Sequence, residues 1–283
     1  MSGESKTIVS VKNLVLGVKN DEKTENDFRF KIDYGSFDIK LGDFVLIKGR
    51  NGCGKSTFLR LFRLQGVNYF KVTDGSILFL EDGFPEKSIH LYSTDELTRL
   101  NCMVSYIGQE EKFLTFDSAY SFIFNSCRLA MSYGNMSAAE KSDRLKKVDG
   151  LISDYYEKYL AASFQCKNYK TFKTKNAHHW SGGQQKMINV LAGLIKAEVC
   201  GLKLVVMDEP LNNLDGMNKY ILNELIKEVR KKDVAVMAIT HCQIFDGVNK
   251  VLNIEEGVDG VRRAVLLEEG VPPHSDCLEA YQR

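Results

Sequence analysis

The 283-residue chain has almost no excess of charge of either sign: 38 Lys plus Arg stand against 37 Asp plus Glu, a formal net charge of +1. No global field therefore draws it onto nucleic acid or an anionic membrane, and any such partner would have to be held locally. A paired-cysteine motif is also missing. The seven cysteines, at 53, 102, 127, 166, 200, 242 and 277, are scattered and include no C-x-x-C. That excludes a C-x-x-C zinc clamp or redox couple and fits reduced thiols in a cytosol. Long apolar runs are absent too. Stretches such as 204–207 and 234–239 stop well short of the ~20 residues that span a bilayer. Residues 1–10 carry no apolar core, so no secretory signal is expected and the chain is expected to be soluble. No internal repeat or low-complexity block is present. What remains, 44% hydrophobic and 27% charged residues, is ordinary globular material with enough apolar side chain for a well-buried core.

Patterning then divides the chain. Residues 7–16 are rich in β-branched side chains, and after a polar run at 19–27 the positions Phe28, Phe30, Ile32 and Tyr34 alternate at period two. This predicts an antiparallel sheet with a loop at 19–27. Residues 44–48 read as a short strand, followed by a glycine-rich loop and a helix over 56–64. Further strands are expected at 77–80 and 103–107, separated by a segment, 81–101, in which turn residues dominate. Helical spacing runs through 119–131 and 138–160, and the polar, lysine-bearing 165–179 reads as a connecting loop. After Ser181, Met187, Val190, Leu191, Leu194 and Ile195 mark one face of a buried helix. A strand at 202–207, a helix carrying Leu222, Leu225, Ile226 and Val229, and a strand at 234–240 follow. Such alternation means a parallel sheet with crossover helices. The stretch 250–269 predicts a last hairpin turning near 258–260.

Three motifs carry chemistry. Gly49-Arg50-Asn51-Gly52-Cys53-Gly54-Lys55-Ser56 matches G-x-x-x-x-G-K-[ST] between a strand and a helix. Its glycines let backbone N–H groups turn inward around phosphate, Lys55 reaches the outer phosphates, and Ser56 is placed to hold Mg²⁺. The apolar strand 204–207 ends in Asp208-Glu209, at the carboxyl end of a parallel strand beside that loop. Asp208 can bind Mg²⁺ through water, and Glu209 can polarise an attacking water as general base. Trp180-Ser181-Gly182-Gly183-Gln184 opens the buried helix, and its amides and the Ser181 hydroxyl form a second anion site. A single-chain nucleotidase needs only one.

In this order the motifs resemble the ATP-binding cassette (ABC) family, whose signature is L-S-G-G-Q; the resemblance covers about residues 8–257. It implies an α/β fold of the P-loop NTPase (RecA-like) type: a parallel sheet core, an N-terminal antiparallel β subdomain and an inserted α-helical subdomain. Residues 1–283 then form one nucleotide-binding domain, with the helical insert at 110–190. ATP would be held by Asn51, Gly52, Cys53, Gly54, Lys55, Ser56 and Thr57, and by Ser181, Gly182, Gly183 and Gln184 of a facing cassette. Gln109 resembles the glutamine that senses Mg²⁺ and the γ-phosphate, Asp215 the D-loop aspartate, and His241 the switch histidine. The implied metal set is Ser56, Gln109 and Asp208, and the implied catalytic set is Glu209, His241 and Gln109. Adenine normally stacks on an aromatic upstream of the loop; Phe28 is preferred here over Phe30 and Tyr34, and all three could instead be core. Trp180 replaces the signature leucine, and Met187 stands where arginine is frequent.

The resemblance implies a second cassette as partner, in a homodimer or a related heterodimer, and two function classes. In the first, ATP hydrolysis drives transport through a separate transmembrane permease subunit, which holds the cassette at the cytoplasmic face of a membrane. Residues 112–118 would then receive the partner's coupling helices, although their aromatics are equally consistent with core packing. In the second, the cassette is soluble and works without a membrane, for example in iron-sulfur cofactor assembly. No direct nucleic-acid partner is expected: only one phosphate loop occurs, and no heptad array separates Lys55 from Ser181.

Overall fold

The computed structural model describes residues 5–20, 27–63, 69–109, 118–133, 136–165, 168–240, 245–257 and 259–268. In chain order the strands are β1 (Thr7–Lys19), β2 (Phe28–Asp33), β3 (Phe37–Lys40), β4 (Phe44–Gly49), β5 (Phe70–Phe79), β6 (Val104–Ile107), β7 (Leu204–Asp208), β8 (Ala235–Ile239), β9 (Lys250–Glu256) and β10 (Arg262–Glu268). The helices are α1 (Lys55–Leu59), α2 (Thr94–Met103), α3 (Ala119–Tyr133), α4 (Ala138–Tyr155), α5 (Ala161–Phe164), α6 (Tyr169–Thr174), α7 (Gly182–Cys200) and α8 (Gly216–Arg230).

Among the described residues the strands join in one sheet, in the order β3-β1-β2-β10-β9-β4-β8-β7-β6, with β5 on β1. The segment β9-β4-β8-β7-β6 is parallel throughout, with Ile47 opposite Ile239 and Met207 opposite Ala238. Strands β4, β7 and β8 carry near-continuous apolar runs because both of their faces are covered. Alternation assigns the faces. Phe44, Leu46, Val205, Met207, Val236 and Ala238 pack on α3, α4, α7 and α8. Val45, Ile47, Leu204, Val206, Met237 and Ile239 face the other way, toward Phe58, Leu59 and Phe62 and the antiparallel strands.

The antiparallel part is built on the long β1, which pairs with β2, β3 and β5. Strand β10 joins it to the parallel part, running antiparallel to β9 and parallel to β2. The last hairpin therefore forms as its pattern predicts.

Several elements depart from the sequence expectation. The segment 81–101 contains most of α2, which a reciprocal capping box starts: the Ser93 N–H donates to Glu96 Oε2 at 2.6 Å and the Glu96 N–H to Ser93 Oγ at 3.3 Å. Strand β5 begins seven residues before the expected 77, because it follows β1 along nearly its whole length. The expected helix 138–160 is α4 and a five-residue π turn at Tyr156–Leu160, and α5 continues it beyond the expected end. The expected loop 165–179 contains α6, capped by Asn168, whose Oδ1 accepts from the Thr171 N–H at 2.9 Å. Phe172 anchors α6 among Tyr156, Phe164 and Trp180, with ring centroids 4.9, 5.3 and 6.1 Å away. The helix expected over 56–64 is the five residues of α1, continued by a tighter 3-10 turn at Arg60–Phe62.

Candidate functional site

The carboxyl ends of the parallel strands carry the site, as in other open parallel sheets. Strand β4 ends at Gly49, the loop turns, and α1 begins at the buried Lys55. Gly54 has φ +112°, and a Cβ there would sit 2.0 Å from Ile32 Cδ1, so the position admits only glycine. Tyr34 braces the loop from below: its hydroxyl donates to the Gly54 carbonyl at 3.0 Å and its ring lies 4.9 Å from Phe58. The Lys55 ammonium donates to the carbonyls of Gly49 at 2.8 Å and Arg50 at 3.0 Å, so the loop is closed around its own cation.

Across from the loop stands Asp208, buried at the end of β7. Ser56 Oγ donates to its Oδ1 at 3.3 Å, and the Tyr106 hydroxyl to its Oδ2 at 3.4 Å. Burial, and then the neighbouring charge of Glu209, push the Asp208 carboxyl above its usual range. Tyr106 is pushed up to about 12 by burial and by the Asp208 charge, which keeps it a donor. Hydroxyl and carboxylate oxygens, and a carboxylate desolvated beside a second acid, suit a hard divalent cation. Among the described residues there is no group of three or more His, Cys, Asp or Glu that could hold a metal by themselves. A cation here would complete its shell with water and phosphate oxygens.

Glu209 adopts φ +49°, its N–H donates to the Ile239 carbonyl at 3.1 Å, and its carboxylate accepts from Asn212 Nδ2. A left-handed non-glycine residue of this kind is uncommon, and here the turn lifts Glu209 out of the strand beside Asp208. Gln109 follows β6 and is exposed; the pairing of Ile107 with Met207 sets it one strand away from Asp208-Glu209. Lys55, Ser56, Asp208, Glu209 and Gln109 thus gather at one end of adjoining strands. His241 and residues 112–117 lie outside the described residues.

Ser181, Gly182, Gly183 and Gln184 form a separate group at the start of α7. Ser181 caps the helix, accepting from the Gln184 N–H at 3.3 Å while its own N–H donates to Gln184 Oε1 at 3.0 Å. Gln184 Nε2 reaches the Ser163 carbonyl at 3.2 Å, and the Ser181 and Gly182 positions are exposed. A Cβ on Gly183 would come within 3.0 Å of the Asn213 carbonyl, so the helix start touches the turn that leads to Asp215. Asp215 caps α8, accepting from the Asn218 N–H at 2.8 Å. Trp180, buried immediately before Ser181, lies 5.0 Å from Phe164, with the Lys175 ammonium 3.8 Å from its ring centroid. Substitution of the signature leucine is thus absorbed by an aromatic cluster behind the loop.

The structure does not bring Phe28 to the phosphate loop. Its ring packs over Gly17, where any Cβ would collide with it at 2.5 Å, and the Lys31 ammonium lies 5.8 Å from its centroid. Ile32, toward the other end of β2, and Tyr34, just past it, are the residues that touch Gly54. The preference for Phe28 as the adenine stack is therefore corrected by position along β2.

Three site residues escape sequence reading: Tyr106, Lys186 and Arg262. The buried Lys186 ammonium donates to the carbonyls of Gly108 at 2.6 Å and Gln109 at 3.2 Å, tying the first turns of α7 to the backbone of Gln109. A lysine among the apolar positions of a buried helix is the one signal that marks it. Arg262 donates to the Gly52 carbonyl at 2.5 Å; strand register alone puts it there.

A family model described as ABC transporter matches residues 32–212. The chain is 26% identical over 208 residues to the probable iron export ATP-binding protein FetA of Escherichia coli (strain K12), covering 73% of this chain and 76% of that one. It is 23% identical over 254 residues to the petrobactin import ATP-binding protein FpuC of Bacillus anthracis, covering 90% and 80%. It spans 35% of the length of another relative, a putative ABC transporter ATP-binding protein of Bacillus anthracis. Its fold is shared with cbiO1 from Clostridium perfringens, described as part of the ABC transporter complex cbiONQ, at TM-score 0.62 and 20% identity over 99% and 92% of the two chains.

Proposed function

Because the chain belongs to the ABC transporter family and is an ATPase cassette by that membership, we propose that it hydrolyses ATP between two cassettes placed face to face, and that their closure powers transport through a separate transmembrane partner. One observation supports the dimeric reading above others: the chemistry is split. Lys55, Ser56, Asp208 and Glu209 gather around the loop, whereas the exposed Ser181-Gly182 helix start, a second candidate anion site, is engaged among the described residues in capping its own helix. A facing cassette can present that surface to the outer phosphate held by Lys55, so each chain supplies half of two sites.

Within this reading Lys55 and the amides of residues 51–57 hold and orient the phosphates. Glu209, lifted out of the strand by its left-handed backbone, positions water in line with the γ-phosphate and accepts its proton. Asn212 fixes the direction of that carboxylate. Asp208, Ser56 and Gln109 would hold Mg²⁺, which supplies charge neutralisation for the phosphate oxygens when bound. His241, which follows β8 in the sequence, is proposed as the γ-phosphate sensor, and Asp215 as a contact across the cassette interface.

The transmembrane partner is proposed from the relatives, whose names are those of import and export ATP-binding proteins. Among the described residues no helix is long and apolar enough to cross a membrane. The coupling is proposed, from the same relatives, to be peripheral at the cytoplasmic face. Residues 110–190 are proposed as the helical unit that meets the partner.

Glu209→Gln removes the base while leaving the phosphate cradle intact. It should retain ATP and elute as a dimer in saturating ATP and Mg²⁺ when mass is read by light scattering after gel filtration. A persistent monomer under those conditions refutes the homodimer. Purification from native cells in gentle detergent tests the coupling: a multi-span membrane protein recovered in stoichiometric amount supports transport, and recovery of soluble partners alone overturns it.

A further inference from the structure

Where the nucleoside end of the ligand goes follows from the sheet order. The flank of the phosphate loop toward β8 and β7 carries Asp208 and Glu209, the groups that act on the outer phosphate. A nucleoside triphosphate seated in the loop must therefore lead its base and ribose over the opposite flank, toward β9 and β10. A cavity of about 580 Å³ lies there, between Arg50 and Asn51 of the loop and Asn253, Glu255, Glu256 and Arg262 of the β9-β10 hairpin. That volume lies within the range of ordinary small-ligand sites.

One wall of the cavity is a layered pair. Arg262 opposes Ile32 across the β10-β2 pairing, so it shares a face with Ile32 and with Phe30 two residues earlier. Its guanidinium carbon lies 3.5 Å from the centroid of the Phe30 ring, and its Nη1 donates to the Gly52 carbonyl at 2.5 Å. The guanidinium is thus held flat, backed by an aromatic ring on one side and anchored to the loop at its tip. Guanidinium is planar and weakly hydrated, and it stacks on π systems as a compact ammonium cannot. Phe30 is half-buried with the guanidinium over its ring, and of the two it is Arg262 that lines the cavity, so the surface offered to a base is the arginine. At the same mouth Glu256 stands opposite Arg262 in the hairpin, and Glu255 accepts from Asn253 Nδ2 at 2.6 Å. These carboxylates are hydrogen-bond acceptors suited to ribose hydroxyls.

We propose that Arg262, seated on Phe30, is the platform on which the base of the bound nucleoside triphosphate stacks, inside the cavity closed by Glu255 and Glu256. The proposal rests on the ATP-binding reading above and moves base recognition from an aromatic side chain to an arginine of the last hairpin.

Calorimetric titration of the full chain with Mg-ATP, Mg-ribose-5-triphosphate and Mg-tripolyphosphate separates the contributions. The wild-type protein should bind ATP about tenfold more tightly than the base-free ribose triphosphate, in keeping with the worth of one stacked base. Equal affinities overturn the platform without any variant. Arg262→Ala should weaken ATP about tenfold and leave tripolyphosphate unchanged, and that retained tripolyphosphate binding shows that the loop is still folded. Arg262→Lys keeps a cation near Gly52 but cannot lie flat on Phe30, so it should lose several-fold on ATP alone. Unchanged ATP affinity in both variants, or an equal loss for ATP and tripolyphosphate in Arg262→Lys, refutes the proposal; the second pattern means that the residue only props the loop. A wild-type protein that binds none of the three ligands refutes the ATP-binding reading itself.

Discussion

Lys186→Met separates the structural from the positioning role of a buried charge. Methionine keeps the length and apolar stem of lysine and removes the ammonium, so the Gly108 and Gln109 carbonyls lose donors at 2.6 and 3.2 Å. Leaving a buried acceptor such as the Gly108 carbonyl without its charged partner costs about 1–3 kcal/mol. Against this, the substitution no longer desolvates an ammonium, a penalty of several kcal/mol in real proteins. The two terms nearly cancel, and a residue of about 1 kcal/mol moves Tm by roughly 2–4 °C in a chain of this size. The effect on rate does not cancel. Gln109 loses the tether that fixes its backbone to α7, and a displacement of 1 Å can reduce turnover by about 100-fold. We expect kcat to fall at least about tenfold, with the KM for ATP within about twofold of wild type because residues 49–57 are untouched. Lys186→Arg, which can still donate to both carbonyls, should restore much of the rate. Steady-state hydrolysis over a range of ATP concentrations, with a thermal melt of each variant, gives the answer. An unchanged kcat in a folded Lys186→Met protein, or a KM that rises in step with a large fall in Tm, refutes the reasoning.

Trp180→Leu, which restores the family residue, should destabilise the protein by about 1–2 kcal/mol. Lost packing against Phe164, Phe172 and Lys175 amounts to about 2–3 kcal/mol, and removal of a buried indole N–H that finds no acceptor among the described residues returns about 1 kcal/mol. Urea unfolding followed by circular dichroism measures it, and a more stable variant would contradict the packing argument. Asp208→Asn should abolish hydrolysis yet raise the melting temperature of the protein in chelator at pH 7. The Asp208 carboxyl titrates above its unfolded value of about 3.9 because of burial and Glu209, so its ionised form weakens the fold at neutral pH. That penalty is relieved as pH falls through the raised native value. The advantage of the asparagine variant should therefore shrink between neutral pH and about pH 4, and a gap that stays constant across this range rules out the carboxyl as its source.

What the sequence revealed depended on how local each feature is. The phosphate loop, Asp208-Glu209 and Ser181 to Gln184 are contiguous because backbone amides and strand ends must present them together, so short motifs suffice. The buried parallel strands announced themselves as apolar runs between turn signals, since both of their faces are covered. Helix α2 was masked by the turn residues of 81–101 although its Ser93-x-x-Glu96 box was present, and α6, at six residues, is too short for periodicity to register. Alternation could not choose among Phe28, Phe30 and Tyr34, because period two puts all three on one face of a strand. The structure separates their surroundings: the β1-β2 register shifts at Val18/Lys19 and Phe28 falls against Gly17 and Lys31, while Phe30 lies beneath Arg262 and Tyr34 under Gly54. Contacts such as Arg262 with Gly52, 210 residues apart, leave no local trace.

Trp180 is the only tryptophan in the chain, and it sits between the aromatic cluster of α5 and α6 and the exposed Ser181. Indole emission responds to the local electric field, and here the ring already carries the Lys175 ammonium against it. A triphosphate arriving at Ser181-Gly182 brings several negative charges within a few residues of that ring. In the face-to-face dimer proposed above this ring would serve as an unlabelled optical gauge of closure, with no second indole in the same chain to blur it, by which docking of the two cassettes could be timed separately from breakage of the phosphate bond.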